Sequence, residues 1–304
     1  MDPLFQSYSA KDAKDLVNFI IMTLHSELNQ SIVDTNFNNL NNNEIVDQRN
    51  MVETFKSFHS NYVKTFCSHI SNLFYAIQQT QNKCLQCNTM QYNFQTYFFI
   101  IFPLEKVKEY ILNNLQSEFQ QQLFYNMGNF YNNNNNMFNM YNNMNQISQK
   151  LQNVNNDIVN IFDCFNYIQK VDTFTGSNAM YCNFCGQMSD ANYCNTLLTL
   201  PKVLIILINR GKGIEFKIKL EFYETLNLDS YAGLNNTSNN YKLIGVITHL
   251  GNSGEDGHFI AHCFNPIDKE WYTYNDAIVT KIEDFKRIID LGMPYLLFYK
   301  KINK

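Results

Sequence analysis

The stretch Gly245-Val246-Ile247-Thr248-His249-Leu250-Gly251-Asn252-Ser253-Gly254-Glu255-Asp256-Gly257-His258-Phe259 decides how the C-terminal half is read. Two apolar runs, Tyr241 to His249 and His258 to Phe264, flank a loop carrying Gly251, Gly254 and Gly257, which is the pattern of two strands joined by a pliable turn. Gly257 removes side-chain bulk where the His258 imidazole would face a cleft. Asn265 to Glu270, with Pro266 and Asp268, then separates the His258 run from Trp271 to Tyr274 as a hairpin turn should. If Phe264 pairs with Trp271, Ile260 faces Asn275 and His258 faces Ala277. His258 and Asn275 then become diagonal neighbours on one face, about 7–8 Å apart and closable by their side chains. Asp276 would point to the other face, and a one-residue slip would exchange the two. A carboxamide or carboxylate beside a histidine is the orienting half of a Cys-His-Asn or Cys-His-Asp arrangement.

Working outward, Lys202 to Ile208 reads as a buried strand, Ile214 to Phe222 alternates, and Tyr295 to Tyr299 closes the chain as another strand. The N-terminal side is more helical. Residues 9–29 open with Ser9 and place Ala13, Leu16, Val17, Ile20, Ile21, Leu24 and Leu28 at helical spacing. An Asn-rich stretch, 31–50, reads as loop, 51–77 as partly helical aromatic text, 92–104 as strand and 105–125 as helix. Residues 126–157, with the unbroken run Asn132 to Asn136, read on composition as a disordered insertion. No repeat at solenoid periods is visible. The expected fold class is α+β, with helices N-terminal and an antiparallel sheet C-terminal.

Composition narrows the function classes. Of 304 residues, 45% are hydrophobic and 15% aromatic, enough to bury a core without disulfides. The 23 basic and 27 acidic residues give a net charge of -4 with no basic run, which argues against generic nucleic-acid or anionic-membrane binding. The N-terminus shows no signal-peptide pattern, and the apolar runs are too short to span a bilayer, so a cytoplasmic or nuclear setting is expected. Eight cysteines include two C-x-x-C pairs, Cys84/Cys87 and Cys182/Cys185. Four thiolates so placed can complete a closed tetrahedral zinc site of structural rather than catalytic type. The gap between the pairs exceeds usual zinc-ribbon spacing, so separate buried or redox cysteines stand beside shared zinc at this point. Cys67, Cys164, Cys194 and Cys263 are scattered and read as core residues.

Taken together, these segments resemble the ubiquitin-specific proteases, papain-like deubiquitinating cysteine enzymes. Tyr241 to Phe259 is similar to that family's histidine box, and Trp271-Tyr272-Thr273-Tyr274-Asn275-Asp276-Ala277-Ile278-Val279-Thr280 to the segment supplying the third triad member. Leu200-Pro201-Lys202-Val203-Leu204 resembles its LP-x-x-L strand. Asp12-Ala13-Lys14-Asp15-Leu16 resembles its Q-D-A-x-E-F helix start, with Lys11 and Leu16 departing from the pattern. The resemblance implies a hand-shaped fold: thumb helices in 1–77, a zinc-finger-like subdomain in 78–200 and a palm sheet in 201–304. It implies structural Zn2+ on Cys84, Cys87, Cys182 and Cys185, ubiquitin or ubiquitinated proteins as partners, and His258 as general base. Asn275 would orient His258, with Asp276 as neighbouring support or substitute. The implied reaction is thiol-dependent hydrolysis of the isopeptide or peptide bond after the ubiquitin C-terminal glycine. The family's nucleophile stands in a G-N-T-C-type box, and no G-N-T-C occurs among these 304 residues. The expectation is therefore an enzyme truncated before its nucleophile, inert as a protease as written. The alternative is a ubiquitin-binding scaffold without the chemistry.

Overall fold

The structure is a computed structural model and describes residues 12–30, 49–128, 135–211, 217–234, 238–251, 257–291 and 293–302. Ser9, most of the Asn-rich 31–50 stretch and part of the 214–222 run lie outside the described residues.

Helix α1 (Ala13–Leu28) begins where Asp12 accepts the Lys14 N–H at 2.8 Å, satisfying a donor that the first turn leaves unpaired. Helix α2 (Met51–Thr65) is capped by the Asn50 side chain, and α3 (His69–Phe74) by a reciprocal Ser68/Ser71 box. Strands β1 (Ala76–Cys84), β2 (Met90–Tyr97) and β3 (Phe99–Pro103) follow, so the expected strand over 92–104 is broken near Phe98 into two strands. After α4 (Leu104–Gly128) and α5 (Asn135–Asn155) come β4 (Ile158–Asn160), α6 (Ile161–Ile168) and β5 (Val171–Phe174). Next are β6 (Met180–Cys182), β7 (Gln187–Ser189), β8 (Ala191–Leu197), β9 (Val203–Asn209), β10 (Lys219–Glu221) and β11 (Thr225–Asn227). The chain closes with β12 (Asn240–Leu250), β13 (His258–Asn265), β14 (Glu270–Asn275), β15 (Ile278–Ile282), α7 (Lys286–Leu291) and β16 (Pro294–Lys301).

One correction concerns 126–157. Composition suggested disorder, yet α4 runs to Gly128 and α5 occupies Asn135–Asn155, with 129–134 outside the described residues. Ile147 and Val154 are buried and Leu151 packs on the same core, an i, i+4, i+7 stripe. Asparagine costs a helix only a few tenths of a kcal/mol per residue, so three well-placed apolar contacts outweigh a polar composition.

Two sheets carry the architecture. The larger has the order β15-β14-β13-β12-β16-β9-β3, with β11 pairing β12. Its pairs are antiparallel except β3 with β9, which run parallel. Strand β3 therefore belongs to this sheet although its neighbours in sequence do not. Strand β9 is buried on both faces, which explains its unbroken apolar text. Leu204, Ile206 and Ile208 join the main core with Phe102, Phe165, Tyr241 and Tyr299, while Ile205 and Leu207 meet Ile21 and Val17 of α1. The smaller sheet, β2-β1-β8-β5, extends from this body, and α2 packs Phe55, Phe58 and Tyr62 against its Phe94 and Ile77.

Candidate functional site

The β13–β14 hairpin has the register that the sequence implied: Phe264 pairs with Trp271 and Ala261 with Tyr274. His258 and Asn275 close the diagonal, with Nε2 of His258 2.6 Å from Oδ1 of Asn275. A carboxamide oxygen only accepts, so Nε2 carries the proton of the neutral ring and Nδ1 keeps its lone pair. His258 is exposed at the start of β13, so that lone pair is accessible.

Asp276 corrects the strand-alternation expectation. Because Asn275 pairs with Ile278, Asp276 and Ala277 form a two-residue turn between β14 and β15. Asp276 takes a left-handed φ of 51°, a conformation aspartate tolerates better than most residues. Turned out of the strand, its Oδ2 lies 3.7 Å from Nε2 of His258 instead of on the opposite face. Its side chain is 81% exposed, so the pairing is weak beside the Asn275 hydrogen bond.

Gly257 has a tighter reason than accessibility. A Cβ there would meet His249 Nε2 at 2.2 Å and the Leu250 carbonyl oxygen at 2.6 Å. The His249 ring, lying on this backbone, also packs on Phe259 at 4.7 Å, and Phe259 on Tyr295 at 5.1 Å. Burial lowers the His249 pKa, with Asp12 acting in the opposite sense. The Tyr295 hydroxyl donates to the Asp12 carboxylate at 2.6 and 2.7 Å, tying the start of α1 to β16. A cleft of about 390 Å³ lies there, lined by Asp12, Arg210, His249, Phe259 and Tyr295 among others. His258 is the next residue along from Phe259 but is not part of that lining.

All eight cysteines fall among the described residues, and no sulfur makes a hydrogen bond to His258. Cys263 is the partner of Gly245 and Tyr272 on the strand that starts at His258, and burial pushes its thiol up. Cys164 is fully buried and pushed well up by desolvation, then by Asp163. Cys67 bonds the Val63 carbonyl at 2.6 Å, and Cys194 the Gln169 carbonyl at 3.4 Å.

The other four thiols converge. Cys84 ends β1, and antiparallel pairing of β1 with β8 sets it opposite Ala191, next to the β6–β7 hairpin that carries Cys182 and Cys185. The long sequence gap is thus closed by one strand pairing. All four sulfurs lie within 4.8 Å of one another, with Cys84–Cys185 at 3.7 Å and Cys87–Cys182 at 3.8 Å. A tetrahedron with metal–sulfur bonds of about 2.3 Å has edges of roughly 3.8 Å, so this thiol cage fits a metal ion. Asn88 and Gly186, both at positive φ, turn the two knuckles around the centre. The Thr89 hydroxyl and then its backbone N–H hold Cys87 down to about 6, while the neighbouring Cys87 first, and burial next, push Cys185 up to about 12. Gln86 clasps the knuckles by accepting from Gln187 at 2.9 Å and Ser189 at 3.1 Å. Neither Thr89 nor Gln86 was signalled by the sequence, since their contacts exist only once the knuckles meet.

An exposed histidine held by a carboxamide across a strand hairpin is an arrangement compatible with the base half of a thiol hydrolase. The family model described as "Ubiquitin carboxyl-terminal hydrolase" matches residues 1–299, and the chain belongs to that family. It is 21% identical over 304 residues to "Ubiquitin carboxyl-terminal hydrolase 2" of Bos taurus, covering 98% of this chain and 41% of that protein. It is 20% identical over 307 residues to "Ubiquitin carboxyl-terminal hydrolase Usp2" of Drosophila melanogaster, covering 98% and 26%. Over 138 residues it is 30% identical to "Ubiquitin carboxyl-terminal hydrolase 48" of Rattus norvegicus, covering 43% of this chain and 13% of that protein. The chain therefore spans less than half the length of each of these relatives. The α+β architecture is the papain-like fold of the family. No described helix is long and apolar enough to cross a membrane.

Proposed function

We propose that this chain carries the base and the substrate-holding body of a ubiquitin carboxyl-terminal hydrolase that cuts the bond after the ubiquitin C-terminal glycine. The observation that carries the reading is the 2.6 Å contact between His258 Nε2 and Asn275 Oδ1. With Nε2–H committed to Asn275, Nδ1 takes the thiol proton as the thiolate attacks the carbonyl carbon. The same proton passes to the leaving amine, giving a thioester that water then hydrolyses, regenerating the thiol. Asn275 orients the ring and accepts from the imidazolium, while Asp276 adds exposed negative charge beside it.

The attacking thiol, on this reading, comes from outside these residues. Cys164 is buried and Cys263 half-buried, burial pushing both thiols up, and four more line the cage. The cage would hold Zn2+: four sulfur donors suit it, and a closed site would leave no open position for chemistry. Zinc would therefore brace the small sheet. Ubiquitin carrying a C-terminal electrophile tests the reading. The chain should bind it without forming an adduct; an adduct on any of the eight cysteines would refute the assignment of the thiol, and failure to bind would refute the substrate class. The absence of a thiol facing His258 favours one second reading, a ubiquitin binder that does not cut.

A further inference from the structure

Where β9 begins and β16 ends, away from His258, a groove of about 670 Å³ opens between α3, the Leu200-Pro201 turn and the end of β16. Its floor is apolar, formed by Leu73, Tyr75, Val203 and Ile302, of which Leu73 and Ile302 remain 38% and 41% exposed. Its rim is basic. Lys202 and Lys300 are both exposed, and among the described residues neither has an ion-pair partner. Lys301 also lines the groove but is engaged, donating to Asn239 Oδ1 at 2.9 Å with Asp229 close by. Among the described residues no carboxylate lines the groove, in a chain whose net charge is -4.

We propose that this groove docks an extended acidic peptide segment with alternating apolar and carboxylate side chains. The argument is charge and shape complementarity. Lys202, just before β9, and Lys300, which pairs with Val203 from β16, both line the mouth of this one apolar trough. In an extended peptide, successive side chains point to opposite sides, so alternate apolar residues reach the floor while the carboxylates between them meet the rim. Exposed lysines contribute mainly to steering and specificity, and such contacts weaken as salt shortens the screening length to about 8–10 Å. The surface is separate from the His258 edge, so the inference stands whether or not the chain acts on ubiquitin.

The test uses a fluorescein-labelled octapeptide of alternating Asp and Leu, with an Asn/Leu octapeptide as its neutral counterpart, read by fluorescence anisotropy at two salt concentrations. The acidic peptide should bind at least about tenfold more tightly than the neutral one, and the double variant Lys202→Glu/Lys300→Glu should abolish that margin. Backbone amide shifts in the unmodified chain should concentrate at Val203 and Ile302, which keeps the inference testable if the double variant folds poorly. Equal binding of both peptides, binding unchanged by the double variant, shifts clustered elsewhere, or preference for a single-stranded oligonucleotide would each overturn it.

Discussion

The Tyr295 hydroxyl donates to both oxygens of the Asp12 carboxylate, at 2.6 and 2.7 Å, and so joins the first turn of α1 to the strand that lies across the cleft from it. Asp12 also caps α1, so one carboxylate serves both the helix and the attachment. Burial and then Asp12 hold the Tyr295 hydroxyl protonated well above its usual range, which keeps it a donor. Tyr295→Phe should destabilise the chain by about 1.5–3 kcal/mol, the usual range for a hydrogen bond to a charged group. Chemical denaturation with both proteins at one pH reads this directly, and an unchanged midpoint would show the bond contributes nothing.

Metal content offers an independent check. About one zinc per chain should co-purify, and Cys84→Ser or Cys182→Ser should lower both metal content and folded yield. Well-folded protein without zinc, by elemental analysis, would defeat the claim.

Gly257 should tolerate no side chain. The nearest atoms to an added Cβ include the Leu250 backbone oxygen at 2.6 Å, which cannot swing aside as the His249 ring can. Gly257→Ala is expected to cost about 1–3 kcal/mol and to displace the His258 backbone. Thermal unfolding measures the first effect, and the His258 ring shifts by NMR report the second; a neutral substitution would contradict the packing described.

Three histidines set a pH dependence. Burial lowers the pKa of His25, which bonds the Ser68 hydroxyl at 2.7 Å, and of His262, which bonds Thr273 at 2.9 Å; burial lowers His249 as well. A depressed folded-state pKa means the unfolded chain binds protons first as pH falls. Stability from these groups is thus fully present above the unfolded value near 6.5 and is lost as pH drops through the folded values. Denaturation midpoints should fall between pH 7.5 and 5, and by less in His262→Gln; midpoints flat with pH would contradict the burial of these rings.

Most of the C-terminal sheet was legible because its strands advertise themselves. Alternating or continuous apolar text, a glycine-rich turn and a Pro/Asp hairpin gave the register that placed His258 beside Asn275. Asp276 was misplaced because strand alternation stops at a turn, and an aspartate able to take a left-handed φ was the one local mark of the two-residue turn at Asp276-Ala277. Helix α5 was missed for a related reason: composition averages over a segment, whereas Ile147, Leu151 and Val154 act through spacing. The meeting of the two C-x-x-C pairs depends on β1 finding β8, a long-range pairing that no local pattern encodes.

The central claim is that the body around His258 and Asn275 recognises ubiquitin and its C-terminal tail. Titrating the chain into 15N-labelled ubiquitin tests it most directly. Saturable shifts strongest at the C-terminal tail, and weakened binding when the last two glycines are removed, are the predicted result. Ubiquitin resonances that do not move at saturating concentrations of folded, metal-replete chain would contradict it.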